Sequence, residues 1–269
     1  MDTTSQRYMA FLLAELPRLR RARVRRRWLR GPGRWDALDA AIEHVSDHDV
    51  GIALELGVYR GKSITRCAKK RPRTRFVGFD SFEGLPEDGR RDWKIDFAVE
   101  DLPRVPTNVE LVKGWFSDTL PRFLAANPDP IKFVHIDCDI YSSTCEVFRA
   151  LEAADRLMPG VVLCFDELLN YDRYLWNEML ALFEMLERTG LGVDWLAVAG
   201  GVYALGETIG HLERGTHPSW ERSQATGFRP QAALLLTARR AEPRWPVSEA
   251  LARDLAARFD ALGERSDRG

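Results

Sequence analysis

The chain alternates between short apolar runs and stretches whose apolar residues recur at helical spacing. Apolar β-type runs fall at Ile52–Leu56, Arg75–Phe79, Val109–Val112, Lys132–Ile136, Val161–Phe165, Val193–Val198 and Ala232–Leu236. Helical patterns separate most of the first five, at Lys62–Lys70, Thr119–Ala126 and Ser143–Leu157. A further one, Tyr174–Thr189, precedes the sixth run. Strands alternating with helices predict a parallel sheet covered on both faces. Right-handed crossovers then give a doubly wound α/β fold. Upstream, Leu38, Ile42 and Val45 share one face of a predicted helix, Trp35–Val45. Met9, Phe11, Leu12, Leu13 and Leu16 fit an amphipathic helix that offers an apolar face to a second copy, as in a homodimer. Pro17 predicts a break there, or a new first turn. Gly31-Pro-Gly33 punctuates the chain. It separates a helical, arginine-rich arm, 1–34, from the main domain, 35–269. Two polar stretches interrupt that domain and read as loops: a lid at about 83–107 and an insertion at about 199–230. One more helix is expected within Pro246–Leu262.

Composition narrows the class. The chain has 269 residues, 45% hydrophobic and 29% charged, which supports a sizeable core and excludes a collagen-like or disordered chain. No apolar run approaches the roughly 20 residues of a membrane-spanning helix. The first residues show no secretory pattern, because their charge follows a short apolar patch and no small-residue cleavage site appears. Cys67, Cys138, Cys145 and Cys164 form no CxxC pair and read as reduced thiols of a cytoplasmic protein. Net charge is −1, yet Leu16–Trp35 holds nine arginines and no acid, leaving 30 basic against 40 acidic residues elsewhere. Such a segment suits nucleic acid, phosphate-bearing ligands or anionic lipid. Its plainer reading is an arm docked on an acidic face.

Candidate chemistry gathers at the predicted strand ends. Glu55 lies near the end of the first strand, and Gly57 and Gly61 follow before a helix begins. Glycines there let the backbone approach a ligand beside a helix N-terminus. Tyr59 stands two after Gly57, so the dinucleotide pattern GxGxxG is absent. Asp80, at the tip of the second strand, is placed to accept hydrogen bonds from ribose hydroxyls. Together these point to a nucleoside ligand without a diphosphate, of which S-adenosylmethionine is the commonest. The fourth and fifth strands end in FVHIDCDIYSST and VVLCFDELLNY. Their tips would bring Asp137, Asp166 and Glu167 together, and three such carboxylates repel unless protons or a cation intervene, Mg²⁺ first, then Mn²⁺ or Ca²⁺. Asp139 could join them or cap the helix near Ser142 and Ser143. His135 reads as a core or supporting residue, while His211 and His217 could line a substrate pocket. His44 and His48 read as surface residues. No GxSxG nucleophile elbow occurs.

LELGVYRGKS, VGFDSFEGLPED, LVKGWFSDTLP, FVHIDCDIYSST and PGVVLCFDELLNY, taken together, resemble the class I S-adenosylmethionine-dependent O-methyltransferases of the macrocin O-methyltransferase (TylF/MycF-like) type. The resemblance spans about Leu54 to Tyr171. It implies a Rossmann-like, seven-stranded sheet, mostly parallel with an antiparallel last strand. It implies that Glu55, Gly57 and Gly61, with Val58, Tyr59 and Ser63 in the same turn, hold the methionine part of the cofactor. Asp80 would hold the ribose beside Ser81 and Phe82, and Gly114, Trp115 and Phe116 would wrap the adenine. Asp137, Asp166 and Glu167 would hold Mg²⁺, and Asp137 would also touch the cofactor and serve as general base. Many members of the family have Asp-Asp where this chain has Asp166-Glu167. The acceptor implied is a hydroxyl of a small molecule, such as a sugar of a natural product or glycan. Trp93 and Phe97 of the lid could cover it, and Tyr171, Tyr174 and Trp176 could face its ring.

Three other readings compete. The arginine-rich arm could serve an RNA-directed methyltransferase, but no NPPY-type motif or RNA module accompanies it. Asp137-Cys138-Asp139 could be the DxD of a metal-dependent glycosyltransferase, against which stands the glycine turn after the first strand. A non-catalytic binding protein would not need the retained acids.

Overall fold

The computed structural model describes residues 3–23, 33–86, 97–217, 219–238 and 248–266. Seven strands form one sheet: β1 Ile52–Leu56, β2 Phe76–Asp80, β3 Val109–Lys113, β4 Ile131–Ile136, β5 Val162–Phe165, β6 Gly192–Val198 and β7 Ala232–Thr237. Their order is β3-β2-β1-β4-β5-β7-β6. β7 runs antiparallel to both β5 and β6, and the pairs formed among β1 to β5 are parallel. This is the expected doubly wound, Rossmann-like α/β sheet. The strand order reverses between β1 and β4, where the carboxyl ends leave a crevice for ligands.

The helices are α1 Thr4–Arg21, α2 Asp36–His44, α3 Lys62–Lys70, α4 Phe116–Ala126, α5 Tyr141–Ala153, α6 Glu178–Thr189, α7 Leu205–Glu213, α8 Trp220–Ala225 and α9 Glu249–Ser266. A single 3-10 turn, Tyr174–Trp176, precedes α6. Strand residues serve the two sheet faces alternately, as the pleat requires. Leu54, Leu56, Val134, Ile136, Leu163 and Phe165 join the core under α1, α4, α5 and α6. Ala53, Phe133, Val162 and Cys164 join a second core, with Ala37 and Ala41 of α2 and Ile64 of α3. The alanines let α2 lie close over β5, β6 and β7.

Three expectations need correction. Pro17 does not break α1, which continues to Arg21. Only one turn follows the proline, and that turn is held from outside. Arg18 donates to Asp194 and the Val193 carbonyl, and Arg20 donates to the Val202 carbonyl. The apolar face of α1 is covered by the chain's own body rather than open to a second copy. Tyr8, Met9, Phe11, Leu12, Leu16 and Leu19 are all buried, and α1 packs along α9. The insertion is not a loop, because it holds α7 and α8. Residues 24–32, the middle of the arginine-rich segment, and 87–96 of the lid, including Trp93, lie outside the described residues. Among those described, no helix is long and apolar enough to cross a membrane.

Candidate active site

The tips of β1, β2, β4 and β5 open into one cavity of about 510 Å³, the size of a small-molecule pocket. Its first wall is the turn after β1. Gly57 has φ +93° and lies against the β4 tip. A Cβ there would overlap the Asp137 carbonyl oxygen and stand 2.8 Å from its carbon, so only glycine fits.

Asp80 fastens this turn. Its Oδ2 accepts the amides of Val58 and Tyr59, both at 2.7 Å, and its Oδ1 accepts that of Phe82 at 2.7 Å. Tyr59 and Phe82 adopt left-handed φ of 49° and 56°, which costs a non-glycine residue about 1–2 kcal/mol. Charge-assisted bonds to Asp80 hold both. Three of the carboxylate's roughly four lone-pair positions are thus filled. Asp80 therefore acts first as a backbone clamp and has about one acceptor position left for a ribose hydroxyl.

Glu55 lies beneath the turn rather than on the pocket wall. Its Oε1 accepts from Ser63 Oγ at 2.9 Å and from the Ile64 amide at 3.1 Å, at the N-terminus of α3. Its Oε2 stands 2.8 Å from His135 Nδ1, its cross-strand neighbour on β4. Burial alone would push the imidazole's pKa down, but the hydrogen bond and charge of Glu55, with the charge of Asp166, raise it. The charged form is thus easier to reach than in a free imidazole.

The floor is acidic. Asp137, Cys138, Asp139, Asp166 and Glu167 line it. His135, Asp137 and Asp166 each bring one ligand-type atom within 4.8 Å of the others. The set expected from the sequence was Asp137, Asp166 and Glu167, and Glu167 falls outside this group. Residues 166 and 167 follow the end of β5, and Glu167 lines the cavity beside the group. The N-cap position of α5 is Ile140, and Asp139 precedes it. Asp139 takes a left-handed φ of 63° on the pocket floor.

Removal from water, then the charges of Asp166, Asp139, Glu55 and Glu178, push the Asp137 carboxyl well above the usual carboxylate range. Glu178, the first residue of α6, is fully buried, and neither of its oxygens has a well-aligned hydrogen bond. Burial and the charges of Asp139, Glu167 and Asp166 raise it strongly, opposed only by a weak contact with the Cys138 amide. Such a concentration of carboxylates fits a cation. The oxygens of Asp137 and Asp166 suit a hard ion such as Mg²⁺. His135 belongs to the same group, with its Nδ1 facing Glu55.

Val58, Tyr59, Ser63, Ser81, Trp115 and Phe116 also line the cavity. Gly114, with φ +139°, shapes the turn before Trp115. Gly61, with φ +67°, starts α3 beside Pro103 and Val105 of the lid. Phe82 is buried in the core under α2 and α3 instead of facing a ribose. The expected ring-facing aromatics are likewise core residues. Tyr171 and Tyr174 are buried, and Trp176 stacks on Phe259 at 4.9 Å. His211 and His217 gather around Tyr203, each at 5.8 Å, away from the cavity lining. Sequence reasoning missed Arg34, Trp35, Arg60, Lys62 and Glu146 in the lining, and Glu178 behind it.

Residues 54–168 match the family model described as a methyltransferase domain. The matched stretch runs from β1 to the residues just after β5 and supplies most of the pocket. No curated protein matches the chain. Among solved structures, the calicheamicin methyltransferase CalS11 is 28% identical, with a TM-score of 0.47 over 58% of this chain and 71% of its own. The apo form of CalS11, described as a TDP-rhamnose 3'-O-methyltransferase, gives 27% identity and a TM-score of 0.43 over the same shares. Cofactor-bound Rv0187 from MTB is 18% identical, with a TM-score of 0.44 over 88% of this chain and 91% of its own.

Proposed function

We propose that this chain is an S-adenosylmethionine-dependent O-methyltransferase of the macrocin type. It would use Mg²⁺ held by Asp137 and Asp166 and methylate a hydroxyl of a small molecule, such as a sugar of a natural product or glycan. The observation that carries this reading is the double position of Asp137. Its backbone abuts Gly57 of the glycine turn, while its carboxylate converges with Asp166. A methyl donor and an activated hydroxyl must meet at such a point.

When bound, the cofactor supplies a methyl on a sulfonium, and the ion supplies Lewis acidity that lowers a hydroxyl's pKa. The chain's own residues do the rest. Asp80 fixes the turn, and Glu55 fixes the start of α3. Alignment of this kind is worth several kcal/mol. Asp137 would take the hydroxyl proton. Phe97 packs edge-on to Tyr59 at 5.4 Å, and Leu85 and Pro86 line the same mouth, where they exclude water.

Calorimetric titration with S-adenosylhomocysteine, in Mg²⁺ and in EDTA, tests the cofactor assignment. Micromolar binding is expected, and its absence in both buffers defeats the reading. Turnover of labelled cofactor on an acceptor panel tests the metal, because activity retained in EDTA would remove Mg²⁺ from the mechanism. Asp166→Ala should abolish turnover and still bind S-adenosylhomocysteine.

A further inference from the structure

Three cations stand in the pocket lining: Arg34 just before α2, and Arg60 and Lys62 on either side of Gly61. Apart from Lys69, which lies outside the pocket lining, the other cations on these elements are paired. Arg66 binds Asp39 at 2.6 Å, Lys70 binds Glu43 at 2.9 Å, and Arg71 donates to the Val45 carbonyl at 2.6 Å. Among the described residues, Arg34, Arg60 and Lys62 make no ion pair and no hydrogen bond. Two of them are held over aromatic rings of the same wall. The Arg34 guanidinium lies 4.9 Å from the Trp35 ring centre, and that of Arg60 lies 5.0 Å from the Tyr59 ring. Such stacking fixes a guanidinium's plane and leaves its N–H fork free for an oxyanion. The cavity is therefore polarised, with carboxylates at the floor and unpaired cations at the wall.

We propose that the methyl acceptor carries a phosphate or diphosphate, held by Arg34, Arg60 and Lys62 while its hydroxyl faces Asp137. The inference rests on the methyltransferase reading and specifies its acceptor. Three positive charges match a phosphoryl or diphosphoryl group better than a single carboxylate, and paired guanidinium N–H groups match its oxygens. An acceptor so charged would also be drawn past the acidic floor's repulsion by the cationic wall.

The test uses inorganic pyrophosphate, followed by ³¹P NMR, with the full chain saturated with S-adenosylhomocysteine in EDTA. Saturable broadening of the pyrophosphate resonance is expected. The triple variant R34Q/R60Q/K62Q should weaken it at least about tenfold, roughly 1.4 kcal/mol, and leave S-adenosylhomocysteine affinity within about threefold. R60Q alone should weaken it about threefold and guards against a folding defect in the triple variant. No pyrophosphate binding, or equal binding by the variants, overturns the inference. So does loss of S-adenosylhomocysteine affinity in the triple variant, because the cations would then hold the cofactor's carboxylate. Malonate competing as well as pyrophosphate would replace phosphate with a carboxylate. If S-adenosylhomocysteine fails to bind the wild type, the methyltransferase reading falls and takes this inference with it. Binding of S-adenosylhomocysteine without pyrophosphate defeats the inference alone.

Discussion

Gly57→Ala probes the contact on which the proposed site depends. Gly57 has φ +93°, and a methyl there would overlap the Asp137 carbonyl oxygen and stand 2.8 Å from its carbon. Carbon contacts are favourable near 3.5–4.0 Å, so the tips of β1 and β4 must separate by on the order of 1 Å. Backbone sits on both sides, and no rotamer change relieves the overlap. Gly160 supplies the control, with a similar φ of +100° and no heavy atom within 4 Å of its virtual Cβ. Gly160→Ala should therefore cost only the backbone strain, about 1–2 kcal/mol. Gly57→Ala adds overpacking of about 1–3 kcal/mol. For a chain of this size the control should lower Tm by about 2–8 °C and Gly57→Ala by about 4–20 °C, the larger fall in the same buffer. A displacement near 1 Å at a reacting centre costs about 10²-fold in rate. Turnover and S-adenosylhomocysteine affinity should therefore fall in Gly57→Ala and hold in Gly160→Ala. Calorimetric melts and titrations on both variants decide it. Equal Tm shifts, with cofactor affinity unchanged in Gly57→Ala, would refute the close approach of β1 and β4.

The buried acids give further tests. Glu55→Gln leaves the His135 imidazolium without its counter-charge and should destabilise the protein by about 3–5 kcal/mol. Because the imidazole pKa is raised, the pair's stabilisation is full below about pH 6.5 and fades as pH rises through the folded value. Urea melts across pH 6–9 should show this slope in the wild type, and the same slope in Glu55→Gln would contradict the pairing. Glu178 stays protonated in the fold above the pH at which it ionises in the unfolded chain. Wild type in EDTA should therefore lose stability as pH rises above about 4.3. Glu178→Gln removes that loss, so the variant should be the more stable of the two near pH 7–8. A variant less stable than the wild type there would argue against a neutral Glu178. Asp80→Asn puts an amide N–H₂ where two backbone N–H groups need an acceptor. S-adenosylhomocysteine affinity should drop about 10- to 100-fold by calorimetry, and unchanged affinity would break the clamp assignment.

Strand positions were legible because burial on both faces leaves near-continuous apolar runs, and Lys62–Lys70 was legible to the residue because a glycine turn and an arginine-containing end bracket it. The strand-end acids Asp80, Asp137 and Asp166 follow from the same logic, since a parallel sheet gathers its carboxyl ends on one edge. Partners across the sheet were not legible. Glu55 and His135 are 80 residues apart, and only the β1–β4 register makes them neighbours. Asp80's role as a clamp depends on left-handed conformations at Tyr59 and Phe82, which neither residue type signals. The insertion was misread because Gly200, Gly201 and Gly227 suggest a loop. The structure packs Gly200 against the Gly227 and Arg229 backbone and Gly201 against the Phe228 ring, with Asn170 donating to the Gly201 and Arg229 carbonyls.

Glu178 shows why the acidic floor could be only half read. Asp137, Asp139, Asp166 and Glu167 lie beside strand tips, where a carboxylate announces a ligand edge. Glu178 sits in the first turn of an ordinary amphipathic helix, where an acid is the expected complement to the helix dipole. Its surroundings change its meaning. Asn177, just before it, donates to the Asp139 carbonyl and fastens the start of α6 to the turn after β4. The acid is thereby held in a dry site near three carboxylates that raise its proton affinity. An isolated buried charge there would be far costlier than its loss by protonation. Without a cation, then, the floor holds protons as its countercharge. A divalent ion at Asp137 and Asp166 would displace some of them, so binding should release protons. Mg²⁺ titrations at pH 7 in buffers of different ionisation enthalpy should therefore give different apparent heats. Identical heats would place the ion away from these acids.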